Sequence, residues 1–285
     1  MIISASYKTD IPKFYSKWFM DKVDKGYCKM RNPYNSKEYK IDLKNADGFV
    51  FWTKDLGPFL DNLNNIDKPF MIQYAINNYP KELEKSVVEK KDAVEHMKIV
   101  ADKFGGNTAV WRYDPIIDTS LTPYDWHESN FKNLAKELKN TCNEVVISFF
   151  QPYDKAVKRL DCLEIMEDLD WSDPDDEVKK NFVYKLAKIA SLHNMKFSVC
   201  GQREFLDKGI FDAKCIDAER LSKIAGHKIK AKKKGHREGC GCYESKDVGA
   251  YDTCPHGCIY CYAVNDFDKA QSNYDSHNYR SDFLI

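Results

Sequence analysis

The sequence predicts an α/β chain built on a parallel sheet wrapped by helices, a full or partial β/α barrel of the TIM type with an irregular cysteine-rich cap. Three observations predict it. Short apolar runs rich in β-branched and aromatic residues alternate with helical patterns across the first 200 residues. Most of these runs are continuously apolar, as strands buried on both faces are. No Gly-rich phosphate loop follows the first of them, which favours a barrel over an open doubly wound sheet.

The first strand is expected at residues 2–6. A helix with Pro12 in its first turn follows and stops before Gly26. Residues 48–53 and 70–76 read as strands two and three. A helix over 86–104 places Val87, Val94, Met97, Val100 and Phe104 near one face and ends at Gly105-Gly106. Strand four, 108–113, leads to a helix with Thr122 as cap and Pro123 at the first position. Strand five is 145–150. The next helix has Asp173 as cap and Pro174 first, with Val178, Phe182, Leu186 and Ile189 as its stripe, and strand six is 196–200. A short helix over 217–225 stops at Gly226. The expected division is a barrel-like domain over 1–215 and a cap over 216–285 packed on the barrel mouth.

Forty-four basic residues cancel forty-four acidic ones in 285, so no global field steers the chain toward nucleic acid or anionic lipid. A chain of this length buries roughly three quarters of its unfolded surface and needs no disulfide scaffold. No stretch approaches the roughly 20 apolar residues of a membrane span, and MIISASYKTD lacks a basic start with an apolar signal core. A soluble, cytoplasmic protein without a membrane partner is expected. Five of the ten cysteines fall in the last 46 residues, where a uniform spread would put fewer than two. In a cytosolic chain, clustered cysteines at short spacings point to metal before disulfides.

The sharpest motif is Cys254-Pro-His-Gly-Cys258-Ile-Tyr260-Cys261, spaced C-x3-C-x2-C. Three thiolates on one short loop can hold three irons of a [4Fe-4S] cluster and leave the fourth open. A zinc site prefers four protein ligands in paired knuckles; zinc and reduced, inert cysteines stay as alternatives. Gly257 permits a tight fold of the loop, and His256 is expected to hydrogen-bond beside the metal rather than ligate it.

At these residues the chain resembles the radical S-adenosylmethionine superfamily, whose loop is C-x3-C-x-aromatic-C, with Tyr260 at the aromatic position. The string DTCPHGCIYCYA is similar to the loop of the spore photoproduct lyase and DNA repair photolyase branch. Over nearly its full length, through IISASYKTDIP, GFVFWTK, WRYDPI and Cys215-Ile-Asp-Ala, the chain resembles the bacterial domain-of-unknown-function family 1848. The superfamily resemblance implies that Cys254, Cys258 and Cys261 hold the cluster and that S-adenosylmethionine chelates its free iron. It further implies reductive cleavage to methionine and a 5′-deoxyadenosyl radical, with ferredoxin or flavodoxin as electron donor. Two departures stand out. The superfamily loop follows the first barrel strand, whereas this one follows every recognisable strand, and Phe51-Trp52-Thr53-Lys54 stands where a Gly-Gly-Glu segment would.

Cys200, Cys215, Cys240 and Cys242 form a second candidate set, suited to an auxiliary [4Fe-4S] cluster or a structural zinc, with buried packing as the alternative for Cys200 and Cys215. Cys28, Cys142 and Cys162 are isolated and read as packing. Strand ends supply a polar ring of Ser4, Ser6, Tyr7, Thr53, Lys54, Gln73, Asn77, Arg112, Asp114, Ser148, Gln151 and Gln202. Within it Thr53, Lys54, Gln73, Arg112 and Asp114, with Tyr260, are candidate cofactor contacts. Arg112 could clamp a carboxylate or phosphate, with Asp114 accepting hydroxyls or orienting the arginine. The basic run from Lys228 to Arg237 could meet nucleic-acid phosphate, or be a solvated face.

Overall fold

The computed structural model describes residues 1–32 and 35–285. Among these, the six expected strands join two more in an eight-stranded parallel sheet: β1 (Ile2–Ala5), β2 (Gly48–Thr53), β3 (Phe70–Ala75), β4 (Ala109–Ile116), β5 (Glu144–Phe149), β6 (Lys196–Val199), β7 (Ile210–Asp212) and β8 (Ser245–Asp247). Their order is β7-β6-β5-β4-β3-β2-β1-β8. Strands β7 and β8 are the two edges, and among the described residues no ladder joins them. The sheet is therefore open where full closure was one expectation. The reason lies in the chain between the edges: the Tyr243 N–H donates to the Ile216 carbonyl at 3.0 Å, and Gly241 lies against Asp212 and Ala213. The segment entering β8 thus pairs with the segment leaving β7 instead of with β7 itself.

Alternation divides each strand between two faces. On one, Ile3, Phe49, Phe51, Ile72, Trp111, Val145 and Ile147 pack against Trp18, Phe19, Met97, Phe131 and Leu186 of the helices. On the other, Ile2, Val50, Met71, Val110 and Val146 are covered by residues 213–243 through Ile216, Leu221, Ile229 and Tyr243. Two residues further along the same five strands this inner face turns polar, at Ser4, Trp52, Gln73, Arg112 and Ser148. An apolar floor with a polar layer above it is what positions the site.

The helices are α1 (Ile11–Phe14), α2 (Ser16–Lys25), α3 (Lys90–Phe104), α4 (Tyr124–Glu137), α5 (Asp154–Glu167), α6 (Asp176–Leu192), α7 (Ala218–Ala225) and α8 (Phe267–Asp275). The helix expected to start with Pro12 is broken in two at Tyr15, and Gly26 ends it at φ 81°. The cap of α6 is Asp175, whose side chain accepts from the Val178 N–H, not Asp173, which instead pairs with Lys179 at 2.6 Å. Thr122 is not a cap either: its hydroxyl donates to the Ile117 carbonyl at 3.0 Å, and Pro123 is the residue before α4. Outside the main sheet, Tyr27–Arg31 and Glu38–Asp42 pair antiparallel. Residues 216–285 contribute β8 to the sheet and α7 to its inner face. Among the described residues no helix is long and apolar enough to cross a membrane.

Candidate functional site

All strands point one way, so their C-terminal ends share one edge of the sheet. The cysteine loop lies along that edge. Thr253 Oγ1 and Thr9 Oγ1 share a hydrogen bond of 2.6 Å, and the Tyr15 hydroxyl donates to the Thr253 carbonyl at 2.7 Å. His256 Nε2 meets Asp10 Oδ2 at 2.7 Å. The Ile259 N–H donates to Leu83 O at 3.1 Å and the Ser86 N–H to His256 O at 2.9 Å. Arg159 Nη1 donates to the Cys261 carbonyl at 3.1 Å. Residues 83–86 are thus a strap across the loop, which is why α3 begins at Lys90 and not at the expected residue 86. Gly257 turns the loop at φ 70°, and a Cβ there would stand 3.1 Å from Lys85 Cβ.

Cys258 is buried; Cys254 and Cys261 are half-buried. Burial pushes the Cys254 and Cys258 thiols up, reinforced at Cys254 by Asp10 and opposed at Cys258 by Lys54. Each of the three lies within reach of the other two's charge. Among the described residues no three Cys, His, Asp or Glu side chains stand where they could share one metal ion.

Beside Cys258 sits a buried polar cluster. Lys54 Nζ contacts Glu84 Oε1 at 2.7 Å, and the Tyr260 hydroxyl donates to the same oxygen. Burial alone would lower the Lys54 ammonium, but Glu84 and then Cys258 hold it above its ordinary range. Asn77 Nδ2 donates to Glu84 at 3.3 Å and to the Asp114 carbonyl at 3.0 Å. Asn77 Oδ1 is buried without a hydrogen-bond partner among the described residues, an acceptor left for a water or a ligand. A cavity lined by Lys54, Asn77, Glu84, Val88 and Lys90 opens here.

The second cysteine set lies at the seam between the two edge strands. Cys200 follows β6, Cys215 follows β7, and Cys240 and Cys242 precede β8. The Sγ atoms of Cys200 and Cys215 are 3.5 Å apart, Cys242 Sγ accepts from the Ile216 N–H at 3.4 Å, and the charges of Cys215, Cys242 and Cys240 act on one another. The contact with Cys215, then burial, raises the Cys200 thiol. Cys200 lowers Cys215, but Cys242 and burial carry it up to about 12. Cys215 likewise lowers Cys242, which Cys240 and burial carry up to about 12. Interaction with Cys242 brings the Cys240 thiol down to about 6.

Residues 2–263 match the family described as a domain of unknown function, DUF1848. The chain belongs to the DUF1848 family. No curated protein matches it. The match takes in the sheet, the seam and all three loop cysteines, so in this DUF1848 protein both cysteine sets lie within the family's span.

The remaining expected contacts divide sharply. Arg112 is buried and commits its guanidinium to Asp114 through Nε at 3.1 Å and Nη2, to Gln73 Oε1 at 3.2 Å and to Cys215 Sγ at 2.9 Å. Gln73 Nε2 in turn donates to the Cys215 carbonyl at 2.8 Å. Arg112, Asp114 and Gln73 therefore serve the seam, whereas Lys54 and Tyr260 serve the loop. Thr53 serves neither: its hydroxyl accepts from the Asp55 N–H at 2.9 Å. Ser4 and Ser6 converge on Asp247, each at 2.8 Å, and fasten β8 to β1. Gln202 accepts from the Phe149 N–H at 2.7 Å. Cys28 and Cys142 are buried as expected, but Cys162 is exposed, because it falls on the solvent side of α5. Sequence reasoning missed Asp10 and Glu84. Asp10 carried a signal, a helix cap two residues before Pro12; Glu84, within Pro-Lys-Glu-Leu-Glu-Lys, resembled solvated charge.

Proposed function

We propose that this DUF1848 protein is an iron–sulfur enzyme of the radical S-adenosylmethionine type, with a [4Fe-4S] cluster on Cys254, Cys258 and Cys261. The observation that carries the reading is the seat of the loop: three neighbouring thiols over the strand ends, beside a buried carboxylate, a buried ammonium and an unmet acceptor. When bound, a cluster on three thiolates supplies one open iron position and a single electron. The chain's own residues would bind and orient. Glu84 and Asn77 Oδ1 suit an ammonium and Lys54 suits a carboxylate, the two charges of the amino-acid half of S-adenosylmethionine. Tyr260 holds the Glu84 carboxylate in place, and the burial of this cluster excludes water.

The strand order supports a partial barrel as the frame. With β8 beside β1, the eight strands follow the cyclic order of a β/α barrel opened between β7 and β8, and barrel enzymes keep their sites at the C-terminal mouth. The cap over 216–285 and a small ferredoxin or flavodoxin as electron donor belong to this reading. Nucleic acid is the proposed substrate class, met by the exposed lysines 228, 230, 232, 233 and 234.

Anaerobic reconstitution tests the proposal, with about four irons and four sulfides at the loop and 5′-deoxyadenosine released on reduction as the expected result. A loaded cluster that leaves S-adenosylmethionine unbound and intact overturns the enzymatic reading. That outcome favours a binding or redox-sensing protein on the same ligands, a reading supported by the mutual satisfaction of Lys54 and Glu84.

A further inference from the structure

The seam between β7 and β8 is where the sheet lacks a ladder, and it is where four cysteines from three separate segments meet. Sheet edges left unpaired are a liability, so something must hold residues 213–244 in the gap. Hydrogen bonds supply part of the answer: Tyr243 to Ile216, and the Ile216 N–H to Cys242 Sγ at 3.4 Å. The thiols themselves are the other part. Four buried or half-buried thiols from three segments, with no disulfide among them, pack in one cluster and offer a soft-metal ligand set.

We propose that Cys200, Cys215, Cys240 and Cys242 are the four ligands of one closed zinc centre that staples the seam. The spacing of the Cys200–Cys215 pair favours a single ion. Zinc–sulfur bonds of about 2.3 Å in a tetrahedron set neighbouring sulfurs about 3.8 Å apart, and the Cys200–Cys215 separation is 3.5 Å. An iron–sulfur cubane holds its thiolates farther apart, since each binds a different iron. Among the described residues no three of these thiols converge on one point as they stand; binding the ion has to draw Cys240 and Cys242 onto the Cys200–Cys215 pair. A tetrathiolate zinc carries two negative charges, and Arg112 already stands 2.9 Å from Cys215 Sγ with Asp114 and Gln73 fixing its orientation. That makes Arg112 a positioning and charge-balancing residue beside the metal. Four protein ligands leave no open position, so the centre is structural, and its existence is independent of the chemistry at the loop.

The test uses the full chain carrying Cys258→Ala, so that loop metal is removed from the count. About one zinc per chain without labile sulfide is expected, lost on adding Cys215→Ser. Because Cys215→Ser can itself unfold the protein, Co2+ titration of the metal-free Cys258→Ala chain gives a second reading: the intense thiolate-to-cobalt and d–d bands of a tetrathiolate centre should appear at one equivalent. Zinc content unaltered by Cys215→Ser overturns the site. So does the absence of those cobalt bands. Iron and sulfide, instead of zinc, lost with Cys215→Ser overturns the ion.

Discussion

Cys254, Cys258 and Cys261 come from one stretch of eight residues, whereas Cys200, Cys215, Cys240 and Cys242 are gathered from three segments spread over 43. The loop thiols are neighbours by local spacing, and the fold only decides where they sit. The seam thiols are neighbours only because β6 and β7 end side by side and Tyr243 pairs with Ile216. Their surroundings differ as well. Beside the loop lie charged groups with an unmet acceptor among them, the mark of a place that receives something. Around the seam the polar groups are matched to the thiols, with Arg112 on Cys215 Sγ and Gln73 on its carbonyl. On the readings proposed above, open chemistry and closed structure are separated within one polar layer.

Metal analysis breaks or upholds that separation most strongly. Cys258→Ala should lower iron from about four per chain to below about one while leaving the seam metal in place; parallel loss of both metals would show one coupled centre. Next in size is the buried pair beside the loop. Glu84→Gln keeps the shape and strands the Lys54 ammonium, which should cost about 4 kcal/mol in a urea titration. Adding Lys54→Met should restore most of it, and a shift under about 1 kcal/mol would mean that Lys54 reaches water.

A slightly smaller effect belongs to neither cysteine set. His127 is fully buried between the Tyr113 hydroxyl and the Ile117 carbonyl, and burial depresses it to about 4. The unfolded chain takes up its proton near pH 6.5, the folded chain only near 4. Stability from this group is therefore full above about 6.5 and falls with acid to about 4, by about 3 kcal/mol. His127→Gln, which can serve both partners, should flatten that slope without changing metal content. The smallest expectation is Cys162→Ser on exposed α5, within about 0.5 kcal/mol and neutral for both metals.

The long continuous strands were legible because burial on both faces writes itself as apolar runs; β7 and β8, three residues each, leave no period to read. The loop cysteines were legible from spacing alone. The seam set was named from position alone, and its placement at one seam depended on the fold, since no spacing rule joins Cys200 to Cys242. Glu84 was invisible because its burial depends on Tyr260 and Lys54, which lie 176 and 30 residues away. Asp114 was read as accepting hydroxyls or orienting Arg112; it does pair with Arg112, whose guanidinium reaches a thiol that only the fold brings near.

The bonds from Thr253 to Thr9 and from His256 to Asp10 span 244 and 246 residues. At ribosomal speeds of roughly 5–20 residues per second, roughly 10–50 s separate the synthesis of the two sides. The receiving surface built from β1 to β4 can therefore be folded before the loop thiols exist. The loop arrives on a surface already shaped and itself completes the burial of Glu84 through Tyr260; under the proposed function, loading of the metal is a finishing step of biogenesis and not a nucleus around which the chain must fold.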